Sequence, residues 1–377
     1  MKPNYRTAFL TLLCVIFTTQ SCIDPVEPEF QLEEGLIFVE GFASTTPGAS
    51  FVAVSESAFE FGFYVVNFIE GATVFFVNTG TSEQVPLIER ESAYVPPDDF
   101  AVRPGETWQV QISLPDGKQL ISIPETVLEP VAINGISATY DPELQFREAE
   151  RRFIPGHAVE VSLTDPAAEE NYYYWSFRSI ENLDVCEKCR FSFLREGQCI
   201  QPPPGIVARP YYDYICESPC WRIRFTEGVN ILEDRFVNGL DVNNFRVAEL
   251  PLYTKEDMVV IIQQFSLTPD AFEFYRTLKD ILDNNSGINA PPPAALIGNM
   301  RNAEDSEDLI FGRFTVAATT TASIFIDRTN IAEDQLEPLE PLITENFGEG
   351  PPPQVTTAPC SETRFRTAVP PEGWIDN

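Results

Sequence analysis

The sequence predicts a mainly β protein: an N-terminal immunoglobulin-like β-sandwich, then a second β-rich domain with one α-helix and a disulfide-stapled excursion. Three observations predict it. Short runs of β-branched and aromatic residues recur at regular spacing, and residues 35–130 show no helical period. The 32 prolines gather at points such as 96–97, 202–204, 291–293 and 351–353, where they can neither continue a helix nor sit in a central strand. Apolar residues make up 44% of the chain, with 29 Phe, so a core can form and wholesale disorder is excluded.

The elements follow in order. Residues 1–21 read as a secretory signal, with basic Lys2 and Arg6, an apolar run over 8–17 and a polar stretch over 18–21. The run is shorter than the about 20 residues a bilayer-spanning helix needs. Ser21-Cys22 closes it as a lipoprotein cleavage site, with Thr19 where leucine is usual, and predicts lipidation of Cys22. Each buried acyl methylene contributes about 0.8 kcal/mol, so two or three chains anchor the protein firmly. Residues 22–34, acidic and proline-containing, read as a tether.

Residues 35–130 hold the runs GLIFVEGFA, SFVAVSES, GATVFFVN and TWQVQISLPDGKQLISIPE. In the last, Trp108, Val110, Ile112 and Leu114 alternate with polar residues, and Asp116-Gly117 marks a hairpin turn. Residues 131–330 hold eight further strand-like runs, from VAINGISATY to TASIFID. A helix is expected at 268–283: Thr268 can cap it, Pro269 suits its first position, and Asp270 and Glu273 complement its dipole. Phe274, Leu278, Ile281 and Leu282 share a face at helical spacing, and Gly287 lies past the end. Residues 184–222 form the cysteine-rich excursion, and the proline-rich tail 331–377 carries Cys360 and Trp374.

Charge excludes some partners. Lys2 and Arg6 leave with the signal, so 23 of the 25 basic residues remain against 57 acidic ones. A chain so acidic lacks the cations that nucleic acid or anionic lipid requires. Beyond Cys14 and Cys22 there are six cysteines: Cys186, Cys189, Cys199, Cys216, Cys220 and Cys360. In an exported chain an even set predicts disulfides, Cys360 tying the tail to the excursion, with 15 possible pairings. The spacings Cys186-x-x-Cys189 and Cys216-x-x-x-Cys220 also suit zinc, but thiolates oxidise in that compartment, so no metal is expected.

No constellation specifies a reaction. His157 is the only histidine, no Gly-x-Ser-x-Gly elbow accompanies it, and no phosphate-cradling or dinucleotide loop exists, so no catalytic residue and no cofactor is assigned. The stretch 301–308 (RNAEDSED) lacks the glycine and spacing of a calcium loop and reads as solvated. Two aromatic clusters stand out. Tyr173, Trp175 and Phe177 alternate toward a core, with Tyr172 and Tyr174 on the outer face. Tyr211, Tyr212 and Tyr214, in the excursion, are the candidate ligand-binding group, since exposed aromatics stack on sugars and pack against partners.

GLIFVEGFAS, GATVFFVN, Phe274-Tyr275, Pro291-Pro292-Pro293, Ile297-Gly298-Asn299-Met300, Phe311-Gly312-Arg313-Phe314, Cys220-Trp221 and Cys360 followed by Trp374 together carry a resemblance. The chain resembles a Bacteroidota family of outer-membrane lipoproteins of unknown function, often encoded beside TonB-dependent transporters. It departs from that family in ending with one cysteine instead of a close pair, and in Arg313 where the family's turn carries tyrosine. The resemblance implies an outer-membrane, surface-exposed lipoprotein, with Asp24, Glu27 and Glu29 similar to that phylum's export signals. The expected role is a binding or accessory module of a TonB-dependent outer-membrane transport system. The alternatives are an envelope structural protein or adhesin without a small ligand, and a hydrolase with two carboxylates about 5–10 Å apart.

Overall fold

Alternation builds most of this chain. The strand Thr107–Ser113 buries Trp108, Val110 and Ile112 while its four polar residues stay half-exposed, as a pleat with one face on a core requires. The computed structural model describes residues 34–148, 150–167, 169–284, 296–346 and 353–375. The expected signal, Cys22, nearly all of the tether, Gly287 and the prolines at 291–293 lie outside the described residues.

The N-terminal strands are β1 (Ile37–Ser44), β2 (Phe51–Glu60), β3 (Phe63–Phe68), β4 (Thr73–Asn78), β5 (Gln84–Arg90), β6 (Ala93–Val95), β7 (Thr107–Ser113), β8 (Gln119–Ser122) and β9 (Glu125–Thr126). β1, β2 and β6 form one layer and β4, β7 and β8 the other, while β5 pairs with both β4 and β6 and joins the two. Between them lie Val39, Val54, Phe76, Val110, Ile112 and Leu120. A fully buried side chain of this size contributes about 1.5–3 kcal/mol.

Next come β10 (Ile133–Arg147), β11 (Arg152–Thr164) and β12 (Tyr172–Asn182). The excursion carries β13 (Val185–Arg190), β14 (Phe193–Arg195), β15 (Gln198–Ile200) and β16 (Tyr211–Cys216). After it run β17 (Trp221–Phe225), β18 (Asn230–Glu233), β19 (Asp241–Pro251) and β20 (Met258–Leu267). The sheet β10-β11-β19 contributes to a second core with the layer of β12, β20 and their neighbours. Val159, Val161 and Leu250 pack there with Tyr173, Trp175, Phe177, Val260 and Ile262.

Helix α1 (Pro269–Asn284) starts where expected, with the Ala271 amide donating to Thr268 Oγ1 at 3.3 Å. Its buried face is Ala271, Phe272 and Tyr275, with Phe274 and Leu278 half-buried and Leu282 exposed. The face is therefore rotated from the expected 274, 278, 281, 282 stripe. The aromatics of β12 set it: Tyr275 stacks on Tyr174 at 4.7 Å, and Phe272 lies 4.9 Å from Tyr172. Thus α1 covers the outer face of β12 that alternation assigned to Tyr172 and Tyr174.

After α1 come β21 (Met300–Asn302), β22 (Ile310–Ile326), β23 (Thr357–Ala358) and β24 (Arg366–Thr367). The runs DLIFGRFTVAA and TASIFID are one strand, β22. Its first half pairs parallel with β1 (Ile37↔Ile310 to Ser44↔Ala317), its second half antiparallel with β20 (Ser266↔Ala318 to Met258↔Ile326). β21 adds to β8. Residues 300–317 thus complete the N-terminal sandwich from across the expected boundary at 130/131, and one strand serves both cores. Gly312, at φ +91°, lies against Val39, and a methyl group there would overlap the Val39 carbonyl oxygen.

Candidate functional site

Oxidation builds the excursion. Cys186 is bonded to Cys216, Cys189 to Cys199, and Cys220 to Cys360 across 140 residues. Sulfurs of Cys186, Cys216 and Cys220 lie within 4.8 Å of one another, but each is spent in a disulfide and offers no thiolate to zinc. The tail then wraps the excursion. β23 pairs with β16, β24 pairs with β17, and Trp374 meets Trp221 edge-on at 6.0 Å.

The tyrosine candidates separate. Tyr212 and Tyr214 are buried in the excursion's own core, Tyr212 stacked on Phe193 at 5.1 Å. The Tyr214 hydroxyl donates to Glu345 Oε1 and accepts from the Leu194 amide at 2.8 Å. Glu345 takes a two-pronged bond from buried Arg195, at 2.7 and 2.9 Å. Tyr211 is half-buried, its hydroxyl on the Pro341 carbonyl and the Lys188 ammonium 4.5 Å above its ring. The three therefore do not form an exposed platform. The excursion lacks long strands, so its aromatics supply the core that stacked sheets supply elsewhere.

His157 lies buried on β11 against the Tyr140 ring, 5.2 Å away, with Nδ1 unpartnered. Burial first, and the Arg328 charge second, push its pKa down to about 4, so it is neutral at pH 7. In the stretch 301–308, Asp308 is held by Lys118 at 2.8 Å and by Asn302 at 2.8 Å; those bonds keep its carboxyl below the ordinary aspartate range.

The feature that sequence reasoning missed is a cleft of about 510 Å³ in the second sandwich. It arises where an edge strand breaks. β17 pairs with β12 as far as Phe225↔Arg178, and β18 resumes at Asn230↔Trp175. The intervening 226–229 segment loops out, with Thr226 Oγ1 accepting from the Phe177 amide at 2.6 Å in place of a strand partner. Phe177, Leu250 and Met258 contribute apolar lining; Arg224, Arg246, Tyr253 and four acids add polar lining.

Each of those acids already has a partner. Glu181, almost wholly buried, takes Arg224 at 3.0 Å and Thr254 Oγ1 at 3.0 Å. Glu249 meets Arg246 at 3.3 Å, Asp283 meets Lys279 at 2.8 Å, and Glu227 accepts from the Tyr253 hydroxyl at 3.4 Å. The Arg224 guanidinium lies 4.6 Å above the Tyr253 ring. Behind the cleft wall, Glu337 takes Arg224 at 2.6 Å. Burial would raise its pKa, but Arg224 and Arg222 together hold it low. Buried Arg328 donates to the Thr254 carbonyl at 3.2 Å, and burial lowers its pKa to about 10. The alternation Trp221-Arg222-Ile223-Arg224 hinted at two arginines on one strand face. The other lining residues come from segments far apart in the chain.

Asn299 pairs with the backbone of Phe314 through both side-chain atoms, at 2.8 and 2.9 Å. Arg313 donates to Glu125 at 2.6 Å, and Thr268 also bonds Glu125. They lock β22, β9 and the start of α1 together.

No described helix is long and apolar enough to cross a membrane. A family model described as a domain of unknown function (DUF4249) matches residues 23–323. No curated protein matches the chain.

Proposed function

We propose that the chain, which belongs to this DUF4249 family, is a lipid-anchored, surface-exposed binding or accessory module beside a TonB-dependent outer-membrane transporter. The cleft of the second sandwich carries the reading. It is large enough for a small polar ligand, mixes aromatic and ionic groups, and has each of its acids engaged by a cation or hydroxyl. General acid or base work needs a group within reach of a substrate proton and poised to exchange it. Carboxylates tied into ion pairs serve orientation and charge balance instead. The signal-like segment ending at Cys22, and the resemblance of the 297–314 motifs to transporter-associated lipoproteins, support the location and the partner.

The test is affinity purification of the tagged, full-length protein from its native outer membrane in mild detergent, with mass spectrometry of what accompanies it. A transporter in stoichiometric yield supports the accessory role, and Arg246→Glu with Lys279→Glu would then separate a cleft-dependent role from mere docking. Recovery of the lipoprotein alone, with and without mild crosslinking, overturns it.

A further inference from the structure

The β2–β3 hairpin carries exposed aromatic side chains at its tip. Its register pairs Phe59 with residue 64 and Glu60 with Phe63, leaving Phe61-Gly62 as a two-residue turn. Phe61 is 98% exposed, Phe63 73% and Phe59 49%. Phe61 also sits at φ 52°, a left-handed conformation that suits asparagine or glycine far better than a bulky aromatic. A residue that costs both solvation and backbone freedom at a turn points to a contact outside the fold.

Its surroundings name the occupant. β1 pairs with β2 only as far as Ile37↔Glu56, and the Gly35 amide donates to the Ser57 carbonyl at 2.9 Å. The chain running back to Cys22 therefore joins the fold beside Ser57. The turn projects beyond that point by about 13 Å, four residues at strand rise. The 12 residue steps from Cys22 to Glu34 reach at most about 43 Å. Phe59 and Phe63 take opposite faces of the ribbon with Phe61 at the apex, so each side of the tip presents an aromatic ring, and the Glu60 carboxylate beside Phe63 is drawn back onto the Asn67 amide at 2.8 Å. That shape suits immersion better than docking one face on a flat protein surface. With the chain at net charge −32, attraction by anionic headgroups is excluded, which leaves apolar insertion.

We infer that the Phe59/Phe61/Phe63 tip inserts into the headgroup region of the bilayer that holds the Cys22 lipid, giving the protein a second membrane contact and a fixed orientation. This rests on the lipid-anchor reading. The experiment places Phe61→Trp in the full-length protein, reconstituted in phosphatidylcholine vesicles, and takes the emission difference from wild type. The expected result is a blue-shifted difference spectrum that is at least half quenched by shallowly brominated phosphatidylcholine. An unshifted, unquenched spectrum overturns the inference and leaves a protein partner as the reading of the tip. Intact mass of the same preparation tests the anchor separately, through acyl mass on Cys22. Cys22→Ser protein mixed with the same vesicles should lose at least tenfold in flotation on adding Phe61→Asp and Phe63→Asp, with unchanged Tm. Equal flotation, or none in either case, overturns the inference too.

Discussion

Glu125→Gln should cost more than any surface change, because Glu125 balances a charge that has nowhere else to go. Both Glu125 and Arg313 are buried. Arg313 Nη2 reaches Glu125 Oε1 at 2.6 Å, while Arg313 Nε has no partner. Glu125 Oε1 also accepts from Thr268, and Oε2 from the Val316 amide at 3.1 Å. Glutamine keeps the shape, removes the charge and turns one acceptor into a donor, so one of these three donors faces another donor. Removing one member of a buried pair typically costs about 3–5 kcal/mol, against a total stability of about 5–15 kcal/mol. The double change Glu125→Leu with Arg313→Met removes both charges and strands mainly the Val316 amide, an expected cost of about 1–3 kcal/mol. Urea unfolding of the oxidised full chain, followed by fluorescence and circular dichroism, measures each variant. Exchange at the Ala271 amide should also quicken in Glu125→Gln, since Thr268 loses part of its support. A Glu125→Gln cost under about 1 kcal/mol, or Glu125→Leu and Arg313→Met singles whose costs sum to that of the double, would refute the argument from burial.

His157→Phe should flatten the acid limb of stability. The folded pKa of about 4 lies below the ordinary 6.5, so the unfolded chain takes up the proton first as pH falls. The histidine's contribution is intact above pH 6.5 and is lost progressively toward pH 4, by about 3 kcal/mol, while phenylalanine keeps the packing on Tyr140. Urea midpoints at pH 7 and 4.5 test it: an equal acid loss in both proteins sinks the idea. Replacing Cys220 and Cys360 by serine releases a closure of 140 residues, for which the chain-entropy model gives about 5 kcal/mol as an upper value. The same change at Cys189 and Cys199, ten residues apart, should cost distinctly less, and denaturant midpoints rank the two. Gly312→Ala should destabilise by about 3 kcal/mol or more, because φ +91° and the Val39 carbonyl both oppose a methyl group. An unchanged midpoint would show that β1 and β22 can part there without penalty.

The strands were legible wherever one face meets a core, because period-two alternation writes that face into the chain: β7 and the Tyr173, Trp175, Phe177 series of β12 are the clearest cases. The helix start was legible from Thr268 and Pro269, since a cap is a local chemical requirement. Its buried face was not, because Tyr275 and Phe272 are chosen by Tyr174 and Tyr172, about a hundred residues earlier. Nor was the double pairing of β22, since alternation reports which face is buried and is silent about which neighbour lies alongside. Tyr212 and Tyr214 misled for a related reason. In a segment without strand periodicity, a tyrosine whose hydroxyl meets Glu345, 131 residues away in the chain, looks the same in sequence as one awaiting a ligand. The cleft was hidden most deeply. It owes its existence to a gap between the stretches of β12 that pair with β17 and with β18, and its Glu181–Arg224 ion pair depends on a cross-strand register that alternation does not report. The interruption at 226–229 leaves no mark on the alternation of its neighbours, which is why the sequence was silent about the cleft.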